Sequence, residues 1–189
     1  MTSLSLEVIL LGIVNFIFIG ALPRIFFRAD GTFNLRWWAT AGPLFVSPFV
    51  LLLSWFGYLP TLEIPTDIHL ILNGFAVLLH SASIALIAYT LGCHRIPLAL
   101  WHQNNDAPKA IVTWGAYKKI RHPFYTSFIL ALVASNIHCP QWLNLASLIV
   151  GFLVLNYTAN NEEKHLSTSE FGKDYQDYMK VTGRFFPRF

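Results

Sequence analysis

The residues best suited to chemistry fall into two short runs. One is Arg121-His122-Pro123-Phe124-Tyr125, which follows Gly115-Ala116-Tyr117-Lys118-Lys119-Ile120. The other begins at Glu162-Glu163 and passes Phe171-Gly172, Tyr175 and Tyr178 to Arg184-Phe185-Phe186-Pro187. A histidine, carboxylates, phenols and an arginine can bind and orient a charged ligand and move a proton. Pro123 suits the first turn of a helix, where its missing N–H has no partner to lose. Arg121 and His122 then sit just before a helix N-terminus, whose free N–H groups favour carboxylates and other electron-rich atoms.

The elements that must position these residues are apolar. Of 189 residues, 54% are hydrophobic and 12% charged, far from the balance of an ordinary soluble domain. The apolar residues come in blocks: Leu4 to Leu22 with Glu7 as its one charge, Trp38 to Leu59 with none, and Ile68 to Leu91 with His69 and His80. Each is near the roughly 20 residues that cross a bilayer as a helix. Leu22-Pro23-Arg24 lacks a small-residue cleavage pattern, so the first block reads as a permanent span and not a signal peptide. Pro123 to Ile137 and Trp142 to Ala159 follow, parted by His138-Cys139-Pro140-Gln141. The first is about 22 Å long as a helix, so the pair either crosses as a tight hairpin or dips in and returns. The expected fold is all-α: an integral membrane bundle of about five transmembrane segments, the last two a short hairpin, with a cytoplasmic cofactor pocket. Residues 1–92 form a three-helix membrane anchor and residues 93–189 the functional region.

Basic residues set the orientation. With five segments, all 13 fall on one face: Arg24, Arg28 and Arg36, then Arg95 to Arg121, then the tail. The opposite loop, Gly57 to Asp67, holds Glu63 and Asp67 and no base. The positive-inside rule places the amino terminus outside, and both polar runs and the carboxy terminus in the cytoplasm. The net charge of +3 follows from topology and attraction to anionic headgroups rather than from nucleic acid. Cys93 and Cys139 lie near opposite ends of the bundle, too far apart for a disulfide. No metal-ligand spacing occurs.

Ile111-Val112-Thr113 before Gly115 reads as an extended piece entering a turn. Phe171, Tyr175, Tyr178 and Met179 lie on one face of an amphipathic helix, which Gly183 ends. The polar residues each carry two readings. His122 caps a helix or binds a ligand; Tyr117 and Tyr125 are site residues or interfacial belt aromatics. Glu162 and Glu163 form a solvated helix end, or one of them faces the site. Arg184 anchors the tail to headgroups or acts in the site. His80 is a functional candidate within a span, or with Ser81 and Ser83 makes an interhelical hydrogen bond. Asn156 and Asn160, one turn apart, are packing groups or site residues.

Taken together, Val112-Thr113-Trp114-Gly115-Ala116-Tyr117, Arg121-His122-Pro123-Phe124-Tyr125, Glu162-Glu163 and Arg184-Phe185-Phe186-Pro187 resemble the isoprenylcysteine carboxyl methyltransferase family. That family belongs to a wider set of integral membrane methyltransferases that includes phospholipid methyltransferases. The resemblance covers roughly Arg95 to Pro187. It implies an S-adenosylmethionine-dependent methyltransferase acting on a lipophilic acceptor, a prenylcysteine-type carboxylate being one candidate. The chain has no G-x-G-x-x-G after a strand, in keeping with a cofactor pocket outside a Rossmann fold. By resemblance Lys109, Ala110, Ile111, Val112 and Tyr117 line the cofactor. His122, Pro123, Phe124 and Tyr125 hold its adenosyl and methionyl parts, and Glu162 sits against it. Arg184, Glu162 and Asn160 are the expected catalytic residues. Partners are the acceptor and membrane lipids, with no metal and no nucleic acid.

Three departures stand out. Ser127 occupies a position where many relatives have glycine. The step from Leu166 to Phe171 is one residue longer. Asn156, Thr158 and Asn160 fill the turn before Glu-Glu where relatives that methylate carboxylates often carry arginine. Two other classes stay open: an NADPH-dependent reductase of the membrane sterol type, whose carboxy-terminal half resembles this one in longer chains, and a non-catalytic lipid-binding protein of the same fold.

Overall fold

The structure, a computed structural model, describes residues 4–20, 32, 42–93 and 111–188. Arg24, Arg28, Arg36, His94, Arg95, His102, Lys109 and Ala110 lie outside these described residues. Six α-helices are described: α1 Leu6–Gly20, α2 Val46–Trp55, α3 Thr66–Cys93, α4 Pro123–His138, α5 Trp142–Ser167 and α6 Gly172–Val181. Short 3-10 helices, Gly42–Phe45 and Gly115–Lys118, precede α2 and α4. No strand occurs among the described residues; one parallel bridge joins Ile120 to Gly183.

α3 (28 residues) and α5 (26 residues) are long and apolar enough to cross a membrane. α1 and α2 are shorter apolar helices of 15 and 10 residues. The second apolar block is thus not one helix among its described residues, since a 3-10 turn opens it before α2. α5 runs past the expected end at Ala159 to Ser167, carrying the glutamate pair on a continuous helix.

Large apolar side chains face outward on the long helices, while several polar ones are buried between helices. α3 exposes Leu70, Ile71, Phe75 and Leu78, and α5 exposes Leu145, Ile149 and Leu153. Asn15, Ser47, His80, Ser83 and Asn144 are buried. Where lipid replaces water, apolar side chains gain nothing by turning inward, and helices associate through small residues and interhelical hydrogen bonds. Ser127, Ala131 and Ser135, four apart, form such a small-residue stripe on α4. α4 shares the most extensive helix–helix interface, with α3. Asn15 of α1 donates to His80 Nδ1 (3.0 Å), and Ser83 Oγ donates to the Ser127 carbonyl (2.8 Å) and lies 3.1 Å from Asn15 Oδ1. His80 therefore has the interhelical hydrogen bond, and Ser81 is exposed. Ser127 returns its own hydroxyl to the Pro123 carbonyl (3.0 Å).

The apolar core takes Phe16 and Ile19 from α1, Ile87 from α3, Phe124, Tyr125 and Phe128 from α4, Leu155 and Ala159 from α5, and Phe185 from the tail. It draws on both the 1–92 and 93–189 regions. Cys93 and Cys139 are both free thiols, at the end of α3 and in the α4–α5 turn.

Candidate functional site

The site forms where the segment before α4, the polar end of α5 and the tail after α6 meet. Gly115 starts the approach with a φ of +61°, and a Cβ there would lie 2.5 Å from Cys93 Cβ. The chain turns through Gly115–Lys118, extends to His122, and enters α4 at Pro123, the first helical residue. The tail then runs beside it. Gly183 N–H donates to the Lys119 carbonyl (3.2 Å), Arg121 N–H to the Gly183 carbonyl (2.8 Å), and His122 N–H to the Arg184 carbonyl (3.1 Å). Thr126 Oγ1 donates to the Phe185 carbonyl (2.8 Å). This short ladder holds His122 and Arg184 side by side.

The helix α6 closes at Val181 with Thr182 as its C-cap, so Gly183 is the residue just past the cap. Gly183 also has a packing role: a Cβ there would fall 1.6 Å from the Phe186 carbonyl oxygen, so the tail folds back only over a hydrogen. α6 packs its aromatic side as expected, with Tyr175 buried and Tyr178 Oη donating to the Tyr117 carbonyl (2.5 Å).

Glu162 and Glu163 both reach His122, although adjacent helical residues diverge by about 100°. His122 stands between them. Its Nε2 lies 3.2 Å from Glu163 Oε1, and its Nδ1 lies 3.5 Å from Glu162 Oε2. The two carboxylates have unlike company. Glu163, its side chain 7% exposed, accepts from Arg121 Nε (2.9 Å), Arg184 Nε (3.2 Å) and Arg184 Nη2 (2.5 Å). Glu162, 20% exposed, accepts at Oε1 from the Tyr125 hydroxyl (2.6 Å). No arginine or lysine pairs with it among the described residues.

Arg121 also donates through Nη1 to the Thr182 and Met179 carbonyls. Arg184 Nη1 donates to Asn156 Oδ1 (2.8 Å) and Nη2 approaches Asn160 Oδ1 (3.5 Å). Asn156 and Asn160 of α5 therefore receive a guanidinium from the tail. The His122 and Tyr125 rings stack with centroids 5.2 Å apart and planes 1° from parallel.

Burial pulls the His122 imidazole below its ordinary value; the Glu163 hydrogen bond and charge oppose this, and the arginine charges add to it. Burial likewise raises the phenol of Tyr117, helped by Tyr178 and by the charge of Glu162. It raises that of Tyr175, and pushes Tyr178 up to about 12. The imidazole is thus neutral and the phenols are donors near neutral pH.

Of the expected site residues, Tyr117, His122, Tyr125, Asn160, Glu162 and Arg184 converge on this site. Phe124 is buried in the apolar core and Pro123 is in the first turn of α4. Ile111 and Val112 are half-buried in the extended approach. The spacing of residues gave no role to Arg121 and left the register of Glu163 open. The signal was the pairing of adjacent Arg121-His122 with adjacent Glu162-Glu163. A groove of about 530 Å³ opens between α1 and α2, lined by apolar residues including Ile13, Phe16, Phe45 and Phe49. Phe16 borders both this groove and the core that contains Tyr125.

Against known proteins, no family model and no curated protein matches the chain.

Proposed function

We propose that the protein is a multi-pass integral membrane methyltransferase that transfers a methyl group from S-adenosylmethionine to a lipophilic acceptor. The active site and carboxy terminus face the cytoplasm and the amino terminus lies outside. The observation that carries this reading is the convergence of Arg121-His122, the Glu162-Glu163 pair and the Arg184 tail at the polar end of two long apolar helices. A charged cofactor and a membrane-dissolved acceptor meet at such a boundary. The groove bordered by Phe16 supports an apolar acceptor.

The donor set fits the cofactor. Glu162, the phenols of Tyr117 and Tyr125 and the His122 ring make an electron-rich wall suited to a sulfonium and an ammonium group. When bound, S-adenosylmethionine supplies an electrophilic methyl with its leaving group attached. The chain therefore needs no nucleophile of its own. Tyr117, His122, Tyr125 and Glu162 hold the cofactor, with Ile111 and Val112 beside it on the extended approach and Pro123 and Phe124 fixing the start of α4 from the buried side. Arg184, fixed by Glu163, Asn156 and Asn160, orients the glutamates. Phe185 and the core around Tyr125 keep water from the reacting atoms.

Thermal stability of the detergent-purified protein tests this, with S-adenosylmethionine, S-adenosylhomocysteine and NADPH added separately. A ligand bound to the folded state alone raises apparent stability by about 2.7 kcal/mol at a hundredfold excess over Kd. The adenosyl compounds are expected to stabilise the wild type and not His122→Ala. A response to NADPH alone would select the reductase reading, and no response to any ligand the non-catalytic one.

A further inference from the structure

The two glutamates at the site are not equivalent, and the difference bears on what the acceptor is. Glu163 is held by Arg121 and Arg184 and by His122 Nε2. With the Nε2 proton directed at Glu163, the neutral imidazole turns the lone pair of Nδ1 toward Glu162 Oε2, 3.5 Å away. Two acceptors face each other across a gap that a single proton turns into a hydrogen bond. Glu162 Oε1 is meanwhile fixed by the Tyr125 hydroxyl at 2.6 Å, so Oε2 is the oxygen left to receive that proton. Its 20% exposure, against 7% for Glu163, leaves Glu162 the more accessible of the pair.

We propose that Glu162, backed by His122, takes up the proton shed by the methyl acceptor, which is accordingly a lipophilic amine, alcohol or thiol and not a carboxylate. The inference rests on the methyltransferase reading. In the transfer the acceptor heteroatom's lone pair forms the bond to the methyl carbon. The electron pair of the methyl–sulfur bond goes to sulfur, which leaves as a neutral thioether. The proton on the heteroatom passes to Glu162 Oε2 and is shared with His122 Nδ1. A carboxylate acceptor sheds no proton, and both guanidiniums that could pair with it are turned to Glu163 and the asparagines. Charged and titratable groups around Glu162 come from every neighbouring element: Tyr117 before α4, His122, Tyr125 of α4, Glu163 of α5, and Tyr175 of α6, with Arg121 and Arg184 beyond Glu163.

The test uses full-length protein in lipid nanodiscs, loaded with S-adenosylmethionine so that adding the acceptor starts the transfer, with decylamine and decanoate as probes of equal chain length. Infrared difference spectra on adding decylamine should show a carboxylate converting to a carboxylic acid in the wild type. Glu162→Gln should abolish the change, Glu162→Asp should restore it, and decanoate should not produce it. With labelled S-adenosylmethionine, label should pass to decylamine and fall about a hundredfold in Glu162→Gln. No infrared change, a change that survives in Glu162→Gln, or label passing to decanoate overturns the proposal. Thermal stabilisation by S-adenosylhomocysteine keeps the two levels apart: its absence in the wild type brings down the methyltransferase reading itself. Should Glu162→Gln alone fail to bind it, the wild-type spectra decide.

Discussion

Glu163 is the residue on which the site's positive charge converges. Arg121 and Arg184 both donate to its side chain, with 10% and 28% of their own side chains exposed. Removing the carboxylate leaves two guanidiniums in a poorly solvated place, and breaking such a buried pair costs about 3–5 kcal/mol. Glu163→Ala should lower stability by that order in denaturant unfolding, whereas Arg184→Met, at the more exposed partner, should lower it less. His122 gives a pH dependence of definite sign. Burial holds its folded value below the ordinary one, near 6.5 for an unfolded histidine. Between the two values the unfolded chain binds more protons, so stability falls as pH drops below about 6.5 and is regained as pH rises. His122→Asn should flatten that part of the stability-against-pH curve; an unchanged slope would show that other groups produce it.

At the scale of elements, the approach of the tail to α4 depends on one missing atom. A Cβ at Gly183 would lie 1.6 Å from the Phe186 carbonyl oxygen, and backbone cannot yield that far. Gly183→Ala should therefore undo the ladder to Lys119, Arg121 and His122, at a cost of about 1–3 kcal/mol. Limited proteolysis should then cut after α6 faster than in the wild type. Gly74→Ala, where an added Cβ meets nothing within 4 Å, is the control expected to leave the tail protected. This contact also marks what the sequence concealed. Helix α4 starting at Pro123 and the aromatic face of α6 are local, set by proline geometry and by 3.6-residue periodicity, and both were legible. The positions of Glu163 and Arg184 were not. They depend on how α5 rotates against α4 and on a backbone ladder between residues 62 or more apart, which no local pattern encodes.

For the whole molecule, the question that decides every other reading is which solvent surrounds the helices. Leu78 lies near the middle of the 28-residue α3 and is 62% exposed. In water, lysine at such an exposed position would change stability by a few tenths of a kcal/mol. In a bilayer, a lysine at the centre of a spanning helix costs about 2.5–3.5 kcal/mol of insertion free energy. Leu78→Lys is thus predicted to reduce the membrane-inserted fraction in cells and to lower the stability of the purified protein. Val181→Lys, at a 71% exposed position on the last residue of α6, should do neither, because that helix belongs to the polar end of the molecule. The contrast between the two lysines reads the environment directly. If both are tolerated alike, the outward leucines of α3 face water or another protein surface, and the site at the polar end loses the membrane boundary on which the proposed acceptor depends.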